Sequence, residues 1–394
     1  AATLRPLTAA SAPSERRGDA LYWLGNAYLA SDRLDRALDA YAQAIEQGAA
    51  PPSVTAEVRF QRAWALYQNG RYAEAAPLFR TLAQKYPDTE RGREALFWGG
   101  DAAYQQGQYD RARALLRRYL DAAPAGSRRA GAQYALAWTH FKQRNFEPAA
   151  RLFRTVVQAD AELPDTGIPY RQDARLRLAD CYFALKRYDD AIAAYEQVDG
   201  SGTDYALYQA GKALYFAGRP ADALSRLQRF ADRSPDSPFR PDALYRIGDI
   251  HFQQQRYQAA REAFRRLLDA YPDDPRASEA QYAIGDSYYN AGNMEDAVGA
   301  YRAVLETYPQ SSSASEAASS LFFALNAAGQ QDRADALIAS INENTPDVAL
   351  EDRLRYQRAR AAYQRGESKR ALTLFRAFVR TASASAPIPN AYYY

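Results

Sequence analysis

The sequence predicts an all-α fold of about ten helical hairpins stacked in file, and three observations predict it. Ten alanines, at positions 37, 75, 112, 149, 191, 223, 260, 297, 334 and 371, are each followed four residues later by a large apolar or aromatic residue: Tyr41, Phe79, Leu116, Phe153, Tyr195, Leu227, Phe264, Tyr301, Ile338 and Phe375. After a first interval of 38 that series recurs at a period of 37, with one long and one short interval, 42 and 32, that cancel. Within each unit the apolar residues fall at helical spacing. A fixed period in the range of roughly 20–50 residues marks a repeat array, in which each unit shields the apolar face of the next.

The stretch from Pro241 to Pro272 shows the elements in order. Leu244, Ile247, Gly248 and His251 share one face of a first helix. After a polar break from Gln253 to Arg256, Tyr257, Ala260, Phe264, Leu267 and Leu268 define a second helix. It ends near Tyr271-Pro272, because proline cannot continue a helix. Small residues mark where the two helices meet. At a fixed offset ahead of the large positions stand Gly25, Gly100, Gly211, Gly248 and Gly285, or Ala63, Ala137, Ala179 and Ala359. Glycine inside a helix costs about 1 kcal/mol relative to alanine, so its recurrence predicts a close crossing that a side chain would obstruct.

Composition narrows the function. Against 47 acidic residues stand 50 basic ones, a net charge of +3 spread in mixed pairs such as Arg33 with Asp35 and Arg256 with Glu262. No clustered basic stripe is present to neutralise phosphates, so nucleic acid is not an expected partner. A chain of 394 residues would ordinarily suggest two or three globular domains, but a repeat array grows by stacking and one unit is expected. The single cysteine, Cys181, cannot form an intramolecular disulfide and is expected to be buried as a small hydrophobe. No run of about 18 apolar residues exists to span a membrane.

The phase of the repeat also speaks about the ends. Counting back from Tyr41 makes residues 1–12 the tail of a preceding unit, with residues 1–17 as that tail plus a linker. The array then occupies 18–385, and 386–394 is linker or the start of a further repeat. The chain is expected to be a window from a longer array; the alternative is natural termini, with Pro387 and Pro389 as linker. One joint is irregular: residues 158–172 carry five more than the regular linker and the next junction five fewer, which suits a hinge, a protruding loop or drift without consequence.

With these residues in view the chain resembles the tetratricopeptide repeat family, whose signature reads here as Gly285, Tyr288, Ala297, Tyr301 and Pro309. The resemblance covers ten repeats and implies a right-handed α-solenoid. Departures are the interval of 37, Phe322 where a small residue belongs, and Arg59, Arg62, Arg355 and Arg358 at usually apolar positions, whose units are expected to pack loosely. The extra length sits in linkers such as YPDTERGREA and YPDDPRASEA. That long linker is similar to those of bacterial envelope members of the family, the outer-membrane assembly lipoprotein and the periplasmic Tol-Pal coordinator among them. A periplasmic or cell-envelope location is what the resemblance implies.

In such arrays the first helices line the concave face, so the resemblance says where a partner would sit. Three residues before each small-residue position stand Tyr22, Phe60, Phe97, Tyr134, Leu176, Tyr208, Tyr245, Tyr282, Ser319 and Tyr356. Four residues after it stand Leu29, Tyr67, Tyr104, Phe141, Phe183, Tyr215, Phe252, Tyr289, Asn326 and Tyr363. The two series are seven apart and share a helix face. Between them lie Asp101, Asp180, Asp249 and Asp286, alternating with Trp64, Trp138, Asn26 and Lys212.

Rings with hydroxyls and interspersed carboxylates suit an extended peptide bearing basic or aromatic side chains. The plainer reading is that the rings pack between repeats and the aspartates are solvated. Acidic residues near helix starts, namely Asp19, Glu57, Glu94, Asp173, Asp242, Glu279 and Glu316, are assigned to the helix dipole. The mid-helix aspartates escape that assignment.

His140 and His251 occupy one equivalent position and are expected to be structural; no set of residues has metal-ligand spacing, and no nucleophilic elbow or phosphate loop appears. The expectation is a non-enzymatic scaffold without cofactor or metal, binding a protein or peptide partner. Membrane association would come only through a partner or a missing anchor. The competing readings are recognition of a cell-wall glycan or polysaccharide, and a purely architectural rod.

Overall fold

The computed structural model describes residues 14–46, 52–123, 128–158, 170–198, 200–344 and 348–382. The chain divides into two compact units, one ending at Ala217 and one beginning at Gly218. In the first unit the helices are α1 (Ser14–Leu29), α2 (Leu34–Glu46), α3 (Pro52–Gln68), α4 (Tyr72–Lys85), α5 (Glu90–Gln105), α6 (Tyr109–Ala122), α7 (Arg129–Lys142), α8 (Phe146–Gln158), α9 (Tyr170–Ala184), α10 (Tyr188–Tyr195) and α11 (Thr203–Phe216). The second unit holds α12 (Pro220–Arg233), α13 (Arg240–Gln253), α14 (Tyr257–Ala270), α15 (Ala277–Asn290), α16 (Met294–Thr307), α17 (Ser313–Ala327), α18 (Gln331–Asn344), α19 (Val348–Gln364) and α20 (Ser368–Thr381). No strand occurs among the described residues.

Within each unit every helix packs on the one that follows it. Several odd-numbered helices also touch the next odd-numbered helix, as α3 does α5, α5 does α7 and α15 does α17. This is the packing of stacked hairpins, with the first helices forming a layer of their own. The expected boundaries for the seventh repeat hold, since α13 and α14 end and begin at Gln253 and Tyr257. Residues 159–169 of the irregular joint, and the two terminal segments, lie outside the described residues.

The ten alanines and the ten large residues are the core. None of the alanines is more than 2% exposed and none of the large residues more than 6%. The glycines opposite them are there for space. A Cβ on Gly248 would stand 2.5 Å from the Phe264 ring, one on Gly285 2.5 Å from Tyr301, one on Gly25 2.6 Å from Tyr41, and one on Gly100 2.8 Å from Leu116. The ninth repeat reverses the volumes: Phe322, 1% exposed, takes the small position and the smaller Ile338 faces it from the second helix. Loose packing was expected of the last units; α18 does pack more sparsely on α17 and α19 than other consecutive helices of the second unit do, yet α19 buries Leu354, Ala359 and Ala362 completely. Its Arg358 is held 2.6 Å from Asp335 and its Arg355 pairs with Glu351.

Each hairpin turns through one left-handed residue seven positions after the small residue. Gly70, Gly107, Gly218, Gly292, Gly329 and Gly366 take it with φ of 72–82°, but Asp32, Arg144, Lys186 and Gln255 take it with φ of 57–60°. The following amide closes the helix end by donating to a carbonyl five residues back, as Gln108 does to Ala103 and Arg256 to His251. That bond is the Schellman closure of a helix C-terminus. Between repeats, the phenols of Tyr271 and Tyr308 donate to the carbonyls of Pro235 and Pro272 at 2.9 and 3.1 Å, tying one closing proline to the next.

Two stability predictions follow from these geometries. Gly248→Ala should cost roughly 1–3 kcal/mol through overpacking, outweighing about 1 kcal/mol of gained helix propensity. Urea denaturation reads it, and an unchanged or raised midpoint would count against the close crossing. Gln255→Gly should stabilise by up to about 1 kcal/mol, since a left-handed non-glycine residue costs roughly 1–2 kcal/mol and glycine's extra chain entropy returns part of that; a lowered melting temperature would contradict it.

Candidate functional site

The ring series preceding the small residue is mostly consumed by the stack. Phe60, Tyr208 and Tyr356 are 4, 5 and 7% exposed. An arginine at the start of the next first helix lies on several of these rings. Arg91 is 4.6 Å from the Phe60 centroid, Arg128 5.9 Å from Phe97 and 5.1 Å from Trp98, and Arg276 5.2 Å from Tyr245. The same arginines pair with acids on both sides. Arg91 meets Glu57 at 2.6 Å and also Glu94, Arg128 meets Glu94 at 3.3 Å, and Arg276 meets Asp242 and, at 3.7 Å, Glu279.

The acids assigned from sequence to the helix dipole are therefore, at Glu57, Glu94, Asp242 and Glu279, members of an inter-repeat ion-pair ladder. Each such pair is worth about 0–1 kcal/mol and each ring contact about 0.5–1 kcal/mol, so the ladder fixes register more than it supplies stability. Elsewhere in this series Tyr134 donates to Asp173 at 2.5 Å, and the Tyr282 and Ser320 hydroxyls are 3.0 Å apart.

The ring series that follows the small residue clasps the hairpin turn. Tyr67 meets Tyr72, Tyr104 meets Tyr109, Phe141 meets Phe146, Phe183 meets Tyr188 and Phe252 meets Tyr257, with centroids 5.2–5.7 Å apart. Tyr215 lies against Phe216 at 5.3 Å. Burial pushes the Tyr104 phenol up to about 12. Three repeats that carry the first ring lack the second, with Pro220, Met294 and Ser368 in its place. Tyr215 stays half-buried, whereas the other two tyrosines face solvent, Tyr289 at 36% and Tyr363 at 47% exposure, and Phe323 joins them at 43%.

Sequence reasoning offered the mid-helix aspartates to a partner's basic groups, and the structure places several of them against the protein's own phenols. Tyr195 and Tyr205 donate to Asp180 at 2.6 and 3.1 Å, Tyr301 to Asp286 at 2.6 Å, and Tyr67 to Asp101. Asn26 does the same work for Tyr41 at 2.6 Å. Burial raises the pKa of Asp101, Asp180 and Asp286 above the ordinary 3.8, while the phenol hydrogen bonds pull the other way.

Asp180 is further held by Arg177 at 2.6 Å, and Arg177 lies 5.4 Å over the Trp138 ring. Trp64 stacks on Tyr67 at 5.3 Å and meets Trp98 at 4.4 Å; Lys212 lies 5.5 Å from Phe183 and 5.2 Å from Tyr208. In the first unit, then, the predicted face is assembled but largely self-satisfied.

In the second unit it opens. A cavity of about 190 Å³ brings together five predicted residues, Tyr245, Asp249 and Phe252 of α13 with Tyr282 and Asp286 of α15. Glu279, Ala283 and Ser313 complete its wall together with Phe264. No lysine or arginine lines it. Asp249 accepts the Gln253 side-chain amide at 3.2 Å. Glu279 escaped the sequence reading because a first-turn acid has a sufficient explanation in the helix dipole.

His140 and His251 are buried at 5 and 9% exposure, and their carbonyls accept the turn-closing amides of Asn145 and Arg256. Burial, with arginines nearby, lowers their pKa below the ordinary 6.5. Cys181 is fully buried and its thiol is pushed up to about 12. Both fates agree with the structural roles expected.

Comparison with known families finds tetratricopeptide repeat models matching residues 1–54, 60–127, 134–206 and 208–275, and further ones matching 279–311 and 353–377. No curated protein matches the sequence. Among solved structures, the C-terminal part of a TPR repeat-containing protein from Cytophaga hutchinsonii is 17% identical with a TM-score of 0.53, over 66% of this chain and 98% of that one. A MamA protein is 24% identical with a TM-score of 0.37, over 44% and 90%. The complex of Naa15/Naa10 bound to HypK-THB gives 14%, 0.48, 92% and 63%. At these identities the likeness is one of fold.

The buried aspartates yield a pH prediction. Because the folded value of Asp286 is raised above 3.8, the folded chain holds that proton more tightly than the unfolded one, and the resulting stability is lost as pH rises through the raised value. Asp286→Asn, which keeps an acceptor for Tyr301 as Asn26 does for Tyr41, should therefore melt at or above the parent's temperature at pH 7 and lose that advantage toward pH 4. A variant less stable at pH 7 than at pH 4, relative to the parent, would reverse the sign and refute it.

Proposed function

Because the chain belongs to the tetratricopeptide repeat family, whose arrays serve as protein-interaction scaffolds, we propose that it is a non-catalytic scaffold holding a protein or peptide segment on its first-helix face. The contact is centred in the second unit. The observation that carries this reading is the exposure of Tyr289, Phe323 and Tyr363, at 36, 43 and 47%, on the successive first helices α15, α17 and α19 of the second unit. Exposed aromatic side chains offer large contact area at low entropic cost, which is what a partner anchors on. The acid-rich cavity beside Tyr245 and Tyr282 supplies a polar counterpart. The long linkers, shared with envelope members of the family, support a bacterial cell-envelope setting as part of the proposal.

The test is capture from bacterial envelope extract by the immobilised chain, with and without soluble cell-wall polysaccharide as competitor. A specific protein should be retained, unaffected by the polysaccharide, and lost by at least tenfold in Tyr289→Ala/Phe323→Ala/Tyr363→Ala. Competition by the polysaccharide would point to the glycan reading, and undiminished capture by the triple variant would remove the face from the account.

A further inference from the structure

Aligned on the small residue, the cavity of the second unit is the counterpart of a place that the first unit fills with an arginine. In the first unit Arg177 of α9 reaches Asp173 at 3.3 Å and Asp180 at 2.6 Å and lies over Trp138 at 5.4 Å. In register, Glu279 corresponds to Asp173, Asp286 to Asp180, and Tyr301 to Tyr195, so the carboxylates and the phenol that pins one of them are all kept. The arginine is not: Ala283 stands in its place and lines the cavity. Asp249 replaces Trp138, adding a third carboxylate to the wall.

A second arginine position is also vacated. Arg91, Arg128 and Arg276 cover the ring of the preceding repeat from the start of their helices, whereas α17 has Ser313 at that position, and Ser313 lines the cavity. We propose that this cavity receives an arginine side chain from an extended partner segment, which takes up between Glu279 and Asp286 the role that Arg177 has within the first unit. The inference rests on the scaffold reading above and names its anchor.

Other occupants fit less well. An apolar side chain would strip water from carboxylates and return nothing, and an acidic one would be repelled. Among the described residues no three metal-ligating side chains are grouped to hold a metal ion. A planar guanidinium can span two carboxylates and lie on a ring, which the compact ammonium of lysine does less well. Arg276, the nearest internal candidate, is engaged behind Tyr245 with Asp242 and Glu279.

The test uses the full chain as bait for a phage-displayed library of random 12-residue peptides, followed by fluorescence anisotropy with the synthetic peptides. Supporting the proposal, selected peptides share an arginine whose replacement by alanine weakens binding tenfold or more and by lysine less. Their binding is then lost both in Glu279→Gln/Asp286→Asn and in Ala283→Arg, which supplies the missing guanidinium from within. Ala283→Arg should melt no lower than the parent, so its loss of binding is not loss of fold. Peptides that bind Ala283→Arg as they bind the parent, yet are lost in Tyr289→Ala/Tyr363→Ala, overturn the arginine anchor and leave the scaffold face standing. Failure to enrich any peptide sensitive to either set overturns both.

Discussion

Everything in this protein depends on how closely two helices of one hairpin approach. In nine of the ten hairpins the second helix contributes a large residue, the first only a glycine or alanine, and the ring or branched chain fills the gap left for it; in the ninth, Phe322 and Ile338 exchange sizes. At Gly248 and Gly285 the space is smaller than a methyl group, with ring carbons 2.5 Å from where a Cβ would be. Interiors packed to crystal density cannot absorb such an intrusion by flowing around it. With that contact fixed in each hairpin, the outer faces of successive hairpins are left at a constant spacing. The arginine ladder, the turn clasps and the proline-carbonyl bonds of the linker tyrosines all recur because that spacing recurs.

A constant frame also explains how function can differ along a repeated surface. Each first helix presents the same positions, and what they carry decides whether the face is closed or open. Where Arg177 bridges two acids and lies on Trp138, the face is complete in itself. Where Ala283 and Ser313 stand instead, the acids remain and a cavity appears. Where Met294 and Ser368 replace a ring in the turn clasp, Tyr289 and Tyr363 are released to solvent. Binding capacity arises here by subtraction from a self-satisfied pattern.

Much of this was legible in the sequence. The period, the helix boundaries around Gln253 and Tyr257, the glycine crossings and the burial of Cys181, His140 and His251 all follow from spacing and residue size. The left-handed turn was not legible, because Asp32, Arg144, Lys186 and Gln255 disguise a position that glycine marks in the other repeats. The role of the mid-helix aspartates was hidden for a related reason. Tyrosine on the second helix at 41, 195 and 301 coincides with Asn26, Asp180 and Asp286 on the first, a pairing across fifteen residues that helical periodicity does not bring to mind. Glu94 and Asp242 have two sufficient explanations in sequence, the helix dipole and an ion pair, and only the coordinates show that arginines from neighbouring helices meet them.

The most direct measurement of the central claim is a double-mutant cycle on the eighth hairpin, combining Gly285→Ala with Tyr301→Leu and reading stability by denaturant unfolding. If glycine and ring interlock, truncating the ring makes room for the added methyl, and the double variant is more stable than the sum of the single losses predicts. Strictly additive losses would mean that the two residues do not share the space assigned to them, and the account of the stack would fail with them.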